Sequence, residues 1–155
     1  MKELSIGDKC PAFAGETSEG PISLKDLKGE PFVIYFYPKD STPGCTVEAC
    51  DFRDNFPKFK KLEVKVFGVS KDSLKSHDKF TSKYELPFTL ISDPEGAICE
   101  AFGVWIEKSM YGRKYMGIER ATFLIGADGK IKSIWRNVKV SGHVDDVLTH
   151  IKKLK

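Results

Sequence analysis

The fold can be read outward from Phe32-Val33-Ile34-Tyr35-Phe36-Tyr37-Pro38 and its continuation Lys39-Asp40-Ser41-Thr42-Pro43-Gly44-Cys45. Its first six residues are all aromatic or β-branched. A run this short and this apolar suits a strand buried on both faces. Pro38 ends it. Thr42 then stands at a helix cap, and Pro43 fits the first helical position, where its missing amide hydrogen is not needed. Ala49, Phe52, Phe56 and Phe59 follow at helical spacing, and Pro57 is expected to interrupt that helix or begin a second piece of it. Cys45 falls in the first helical turn.

Downstream, Val64–Ser70 reads as the next buried strand, followed by a helix from about Ser73 to Tyr84. Thr89–Ser92 is a short strand, and Asp93-Pro94 repeats the cap-then-proline signal for a helix through about Phe102. Val104–Gly117 is mixed in character and reads as a long surface loop. Ala121–Ile125 and Lys130–Trp135 flank Ala127-Asp128-Gly129, a hairpin signal. Val144, Val147, Leu148, Ile151 and Leu154 form the apolar stripe of a last helix. Upstream, residues 1–31 read as an extended, turn-rich segment with a brief strand at Ile22-Ser23-Leu24. Alternation of strands and helices predicts an α/β fold in three layers, a central mixed β-sheet with helices on both faces. No repeat or linker divides residues 1–155, so one domain is expected.

The composition is that of an ordinary globular chain: 155 residues, 41% hydrophobic, 30% charged, formal net charge +3. The lysines are scattered among acids, which argues against nucleic acid as a partner. The opening MKELSIGDKC lacks the apolar run of a signal peptide, and FVIYFY is far too short to cross a membrane. The expectation is a cytoplasmic protein, with no membrane partner and a monomeric state. In that compartment four cysteines point to chemistry more than to a disulfide framework.

Position sorts the four. Thiolates are the nucleophiles, and they form where the surroundings favour negative charge. Cys45, after the carboxyl end of a central strand and in the first turn of a helix, meets unpaired backbone donors and the positive end of the helix dipole. Cys50 lies five residues on. Ideal helix geometry puts the two α-carbons about 8–9 Å apart and turned away from each other. That exceeds the ~7 Å limit for a disulfide, so the two react together only if the turn unwinds. Spacing leaves open whether Cys50 is a partner or inert packing. Cys99, in an alanine-containing helix, reads as buried. Cys10, before Pro11, reads as a half-exposed thiol open to reaction. No metal site is expected: Cys45 and Cys50 would sit about 140° apart on one helix, and His77, Cys99, His143 and His150 are scattered. No cofactor is expected.

Pro38-Lys39-Asp40-Ser41-Thr42-Pro43-Gly44-Cys45 resembles the Pro-x3-Thr-x2-Cys signature of peroxiredoxins. The continuation Cys45-Thr46-Val47-Glu48-Ala49-Cys50-Asp51-Phe52-Arg53 is similar to the bacterioferritin comigratory protein, or peroxiredoxin Q, branch. Ser92-Asp93-Pro94-Glu95-Gly96, Tyr111-Gly112, Glu119-Arg120-Ala121-Thr122-Phe123-Leu124-Ile125 and Gly142-His143-Val144 extend the likeness from about Gly7 to Leu154. The resemblance implies a thioredoxin-like fold and reduction of hydrogen peroxide and organic hydroperoxides, with thioredoxin or a similar dithiol as reductant. It also implies roles. Cys45 matches the peroxidatic cysteine, Thr42 the threonine that contacts the peroxide, Pro38 the proline that shields the thiolate, and Arg120 the arginine that reaches the pocket. Glu48 resembles the residue orienting that arginine, and Cys50 the resolving cysteine of members that keep both thiols on one helix.

These residue types suit the chemistry. Arg120 supplies a permanent charge and a rigid fork of donors for the oxygen that leaves. Thr42 can accept from one peroxide hydroxyl and donate to another oxygen. Pro38 shapes a wall without adding a donor. Arg136 reads as part of a solvated basic edge, secondary at most, and Lys39 as a screening charge. Two other readings are a redox sensor that oxidises once without turnover, and a general disulfide oxidoreductase. The chain's lack of any CxxC pair weighs against the second.

Overall fold

Phe32–Phe36, within the run Phe32–Tyr37 expected as a doubly buried strand, is an inner strand of the sheet in a computed structural model that describes residues 3–154. In chain order the strands are β1 (Ala14–Thr17), β2 (Gly20–Ser23), β3 (Phe32–Phe36), β4 (Lys65–Ser70), β5 (Thr89–Ser92), β6 (Trp105–Met110), β7 (Arg113–Ile118), β8 (Ala121–Ile125) and β9 (Ile131–Trp135). The helices are α1 (Pro43–Lys61), α2 (Leu74–Tyr84), α3 (Ala97–Ala101) and α4 (His143–Leu154), with a 3-10 turn at Leu24–Leu27. Seven strands form one sheet in the order β2-β1-β5-β4-β3-β8-β9. β3 pairs parallel with β4, and β4 with β5, while β3 pairs antiparallel with β8. The sheet is therefore mixed.

Alternate residues of β3, and Tyr37 just past its end, serve two cores, as strand geometry requires. Val33, Tyr35 and Tyr37 face Ala49, Phe52 and Phe59 of α1, Phe80 of α2, and Val144, Val147, Leu148 and Ile151 of α4. Phe32, Ile34 and Phe36 face Phe13, Leu27, Ile98 and Phe102. Helices thus lie on both faces, unequally. Three cover one face, while the short α3 shares the other with the opening segment and the 3-10 turn.

Four expectations change. Pro57 does not break α1, which runs unbroken from Pro43 to Lys61 with Pro57 inside it. Phe52 and Phe59, both fully buried on one stripe, tie down the helix on either side of the proline. The helix after Asp93-Pro94 begins later. Gly96, at φ +77°, is its cap, and the Asp93 carboxylate reaches forward to accept from the amides of Ile98 (3.1 Å) and Cys99 (2.9 Å). Val104–Gly117 is not a loop but largely the β6–β7 hairpin, turning at Tyr111 and Gly112, both with positive φ. The opening segment contains a β1–β2 hairpin rather than one brief strand. No described helix is long and apolar enough to cross a membrane.

Candidate active site

β3 ends at Phe36, and the connection to α1 runs through Pro38-Lys39-Asp40-Ser41-Thr42. Thr42 is the cap residue by backbone conformation (φ −79°, ψ 153°), but its side chain caps nothing. Its hydroxyl donates instead to the Lys39 carbonyl (2.9 Å). The single hydroxyl hydrogen is therefore committed, and the expectation that Thr42 both accepts and donates narrows to accepting. Thr46 makes the first helical bond, back to the Thr42 carbonyl (2.8 Å), so the amides of Gly44 and Cys45 lie in the unpaired first turn. Cys45, Glu48, Ala49 and Phe52 fall on the buried stripe of α1.

Arg120 approaches from the start of β8, the antiparallel neighbour of β3. Its Nη2 donates to Cys45 Sγ at 3.4 Å, and its Nη1 to Glu48 Oε1 at 2.7 Å. One planar guanidinium thus bridges the thiol and the carboxylate, a use for which lysine has no equivalent. Cys45 is 2% exposed and Glu48 wholly buried. Burial pushes the Glu48 carboxyl up to about 7, against the pull of Arg120. Its Oε2 has no hydrogen-bond partner among the described residues. Arg120 itself is held above its ordinary value: burial works against its charge, but Glu48 and Cys45 together outweigh burial.

Gly44 was missed by sequence reasoning as a contact residue. A β-carbon there would stand 3.2 Å from Arg120 Nη2, tighter than ordinary van der Waals contact, so glycine lets the guanidinium lie across the helix start. Only an adjacent position in the motif could have hinted at this. Pro38 is exposed, and with Arg120, Ile106, Lys108, Tyr115 and Val138 it lines an open cleft of about 440 Å³. Arg136 is no solvated edge. It donates to Glu119 Oε1 (2.7 Å) and to the Gly103 carbonyl (2.9 Å), while the Asn137 amide donates to Glu119 Oε2 (2.8 Å). This clamp braces the residue next to Arg120.

The other thiols sort by burial. Cys50 is partly exposed on α1, and all four cysteines are free. Cys10 is buried, not half exposed, and burial pushes its thiol up to about 12, which argues against a reactive thiol. Cys99 is fully buried, and burial first and the Asp93 carboxylate second push it higher still.

Residues 6–134 match the profile of the AhpC/TSA family. The chain is 52% identical to a putative peroxiredoxin bcp of Coxiella burnetii, covering 94% of this chain and 97% of that protein. It is 46% identical to Peroxiredoxin Bcp of Escherichia coli K12, covering 99% of each. The chain belongs to the AhpC/TSA family. Its place is in the peroxiredoxin Bcp, or peroxiredoxin Q, branch, and it is a peroxidase. A solved structure of the Xanthomonas campestris bacterioferritin comigratory protein, described in terms of its alkyl peroxide reduction activity, superposes with a TM-score of 0.86 at 48% identity. It covers 91% of this peroxiredoxin and 90% of its own chain. The sheet order and flanking helices described above are thus those of a thioredoxin-like peroxiredoxin.

Proposed function

We propose that this peroxiredoxin reduces hydrogen peroxide and organic hydroperoxides by direct attack of Cys45. The observation that carries the reading is the Arg120 guanidinium, which touches both Cys45 Sγ and Glu48 at the first turn of α1. The Cys45 thiolate donates an electron pair to one peroxide oxygen. The S–O bond forms, the O–O bond breaks, and the other oxygen leaves with the electron pair and takes up a proton. Arg120 and the unpaired first-turn amides stabilise the charge developing on that oxygen. Thr42 accepts a hydrogen bond from the peroxide, and Pro38 walls off the thiolate. Glu48 aims Arg120. The cleft beside Arg120 has room for an organic group, in keeping with the activity named for the Xanthomonas relative.

Cys45 is then a sulfenic acid. Cys50 attacks its sulfur, expels hydroxide and closes an intramolecular disulfide once the first turns of α1 open. Thioredoxin or a similar dithiol restores both thiols by exchange. The chain acts as a monomer in the cytoplasm. Cys45→Ser is expected to abolish peroxide consumption in a thioredoxin-coupled assay while leaving the circular dichroism spectrum unchanged. Turnover by a folded Cys45→Ser protein would overturn the assignment.

A further inference from the structure

Between Pro38 and Thr42 lies Asp40, a buried carboxylate held by Tyr37 from its own loop and by two residues of α2. Tyr37 Oη donates to its Oδ1 at 2.6 Å, and Ser76 Oγ of α2 donates to its Oδ2 at 2.8 Å. His77 Nδ1, also from α2, lies 2.7 Å from the same Oδ2. The other ring nitrogen of His77 lies 3.1 Å from the Ile91 carbonyl of β5. A carbonyl and an ionised carboxylate only accept, so each ring nitrogen of His77 faces an acceptor. The ring so links α2, β5 and the loop, with His77 only 2% exposed. Asp40 answers as an ionised partner. Burial would raise its carboxyl, but the bonds from His77, Tyr37 and Ser76 and the His77 charge hold it below its ordinary value.

The backbone carries this anchor to the thiol. The Asp40 amide donates to Asp72 Oδ2 (2.8 Å), an oxygen that also accepts from Ser70 Oγ (2.6 Å). That amide and the Lys39 carbonyl belong to one planar peptide unit. The Thr42 hydroxyl donates to this same carbonyl. Whatever turns the Lys39–Asp40 peptide therefore turns the Thr42 hydroxyl, and with it the lone pairs left for a peroxide. Ser41, between them, sits at φ +63°, a conformation a serine keeps only where its surroundings enforce it. Asp40, Asp72 and His77 place their ligand atoms within 4.8 Å of one another, as a metal site would. Those atoms are already engaged by the bonds just named.

We propose that His77 is a positioning residue for peroxide attack: it locks Asp40, and through the Lys39–Asp40 peptide it sets the direction of the Thr42 hydroxyl. The proposal rests on the reading of Thr42 as the peroxide acceptor. Its test compares two reagents on Cys45 of the reduced protein, hydrogen peroxide and iodoacetamide. Alkylation needs the thiolate but no help from Thr42. His77→Gln withdraws the donor from Asp40 and should slow peroxide oxidation at least roughly tenfold, a sub-ångström misplacement effect. Its alkylation rate should stay within about twofold of the parent. His77→Asn places an amide nitrogen where Nδ1 stands and should recover most of the peroxide rate. An unchanged peroxide rate in His77→Gln, an equal fall for both reagents, or no recovery in His77→Asn would each overturn the proposal. If His77→Gln does not fold, Ser76→Ala removes one donor from the same carboxylate. A roughly threefold slowing with peroxide alone would then support the anchor, and none would overturn it. Thr42→Val separates the two readings: if it reacts with peroxide as the parent does, Thr42 is not the acceptor, whatever His77 does.

Discussion

At Arg120 two neighbours share one guanidinium, and on the proposed mechanism that sharing bears on how fast Cys45 reacts. Nη1 is held by Glu48 at 2.7 Å and Nη2 reaches Cys45 at 3.4 Å, so the carboxylate is the tighter partner and the thiol lies within reach of the freer donor. Arg120→Met keeps much of the side chain's length but removes charge and donors together. It should slow attack on hydrogen peroxide at least roughly tenfold, equivalent to ~1.4 kcal/mol or more of lost transition-state stabilisation. Stopped-flow oxidation of Cys45 measures this, and an unchanged second-order rate would rule out the role. Gly44 makes a subtler demand. The added methyl of Gly44→Ala would press on Arg120 Nη2 at 3.2 Å and move the fork by a few tenths of an ångström. Alanine also favours the helix by up to about 1 kcal/mol over glycine. The expected pair of results is therefore opposed: a higher urea midpoint together with a peroxide rate lowered several-fold. A faster or unchanged rate would show that the close approach of Arg120 to the helix start is not needed.

The element that matters most is α1, because it carries both thiols on one unbroken helix. Five helical residues separate their α-carbons by about 8–9 Å, beyond the ~7 Å reach of a disulfide. After one equivalent of peroxide, peptide mass mapping under denaturing alkylation should find Cys45 joined to Cys50, with a fall in helical ellipticity on oxidation. Cys50→Ser should consume roughly one peroxide per chain and then accumulate sulfenic or over-oxidised Cys45. A bond from Cys45 to Cys99, to Cys10 or to another chain would reject the one-helix route. The sequence told much of this element: the strand, Pro38, the cap position and the buried stripe are all local signals. Pro57 misled, because a proline's local cost is visible in sequence while the burial of Phe52 and Phe59 that offsets it is not. The β6–β7 hairpin was illegible for a related reason. Most of its residues face solvent, so no apolar alternation marks the strands. Tyr111-Gly112 makes the turn with positive φ at both residues, but Tyr-Gly is not among the pairs that mark a tight hairpin in sequence. Asp93 was read as a cap next to its proline, yet its carboxylate reaches amides five and six residues on, a distance that a local rule does not search. The joining of Asp40 to His77 across 37 positions is a tertiary fact of the same kind.

For the whole molecule, two buried groups on the face of the sheet covered by α1, α2 and α4 pull stability in opposite directions with pH. Glu48 is pushed up to about 7 by burial, against Arg120. His143 is pushed down to about 4, by burial first, with Asp146 opposing and Arg120 assisting. His143 Nε2 lies 2.8 Å from the Thr122 hydroxyl, and its ring meets Phe52 and Trp135 edge-on, so the neutral ring is the one that fits. Between about pH 4.5 and 7 the folded chain holds a proton on Glu48 that the unfolded chain has released, so stability falls as pH rises. Between about pH 4 and 6.5 the unfolded chain holds a proton on His143 that the folded chain refuses, so stability rises with pH. Across the range they share, the two slopes therefore oppose each other. Removing either should expose the other. His143→Gln, whose amide can still meet Thr122, should give a protein whose urea midpoint drops steadily from pH 4.5 to 7. Glu48→Gln should give the reverse, a midpoint that climbs from pH 4 to 6.5. The remaining ionisable groups are common to all three proteins, so the difference between each variant and its parent isolates one site. Differences that stay flat over these ranges in both variants would mean that neither group titrates as its burial requires. A flat difference for Glu48→Gln alone would mean that Arg120 keeps the carboxylate ionised throughout, with its unpaired Oε2 satisfied in another way.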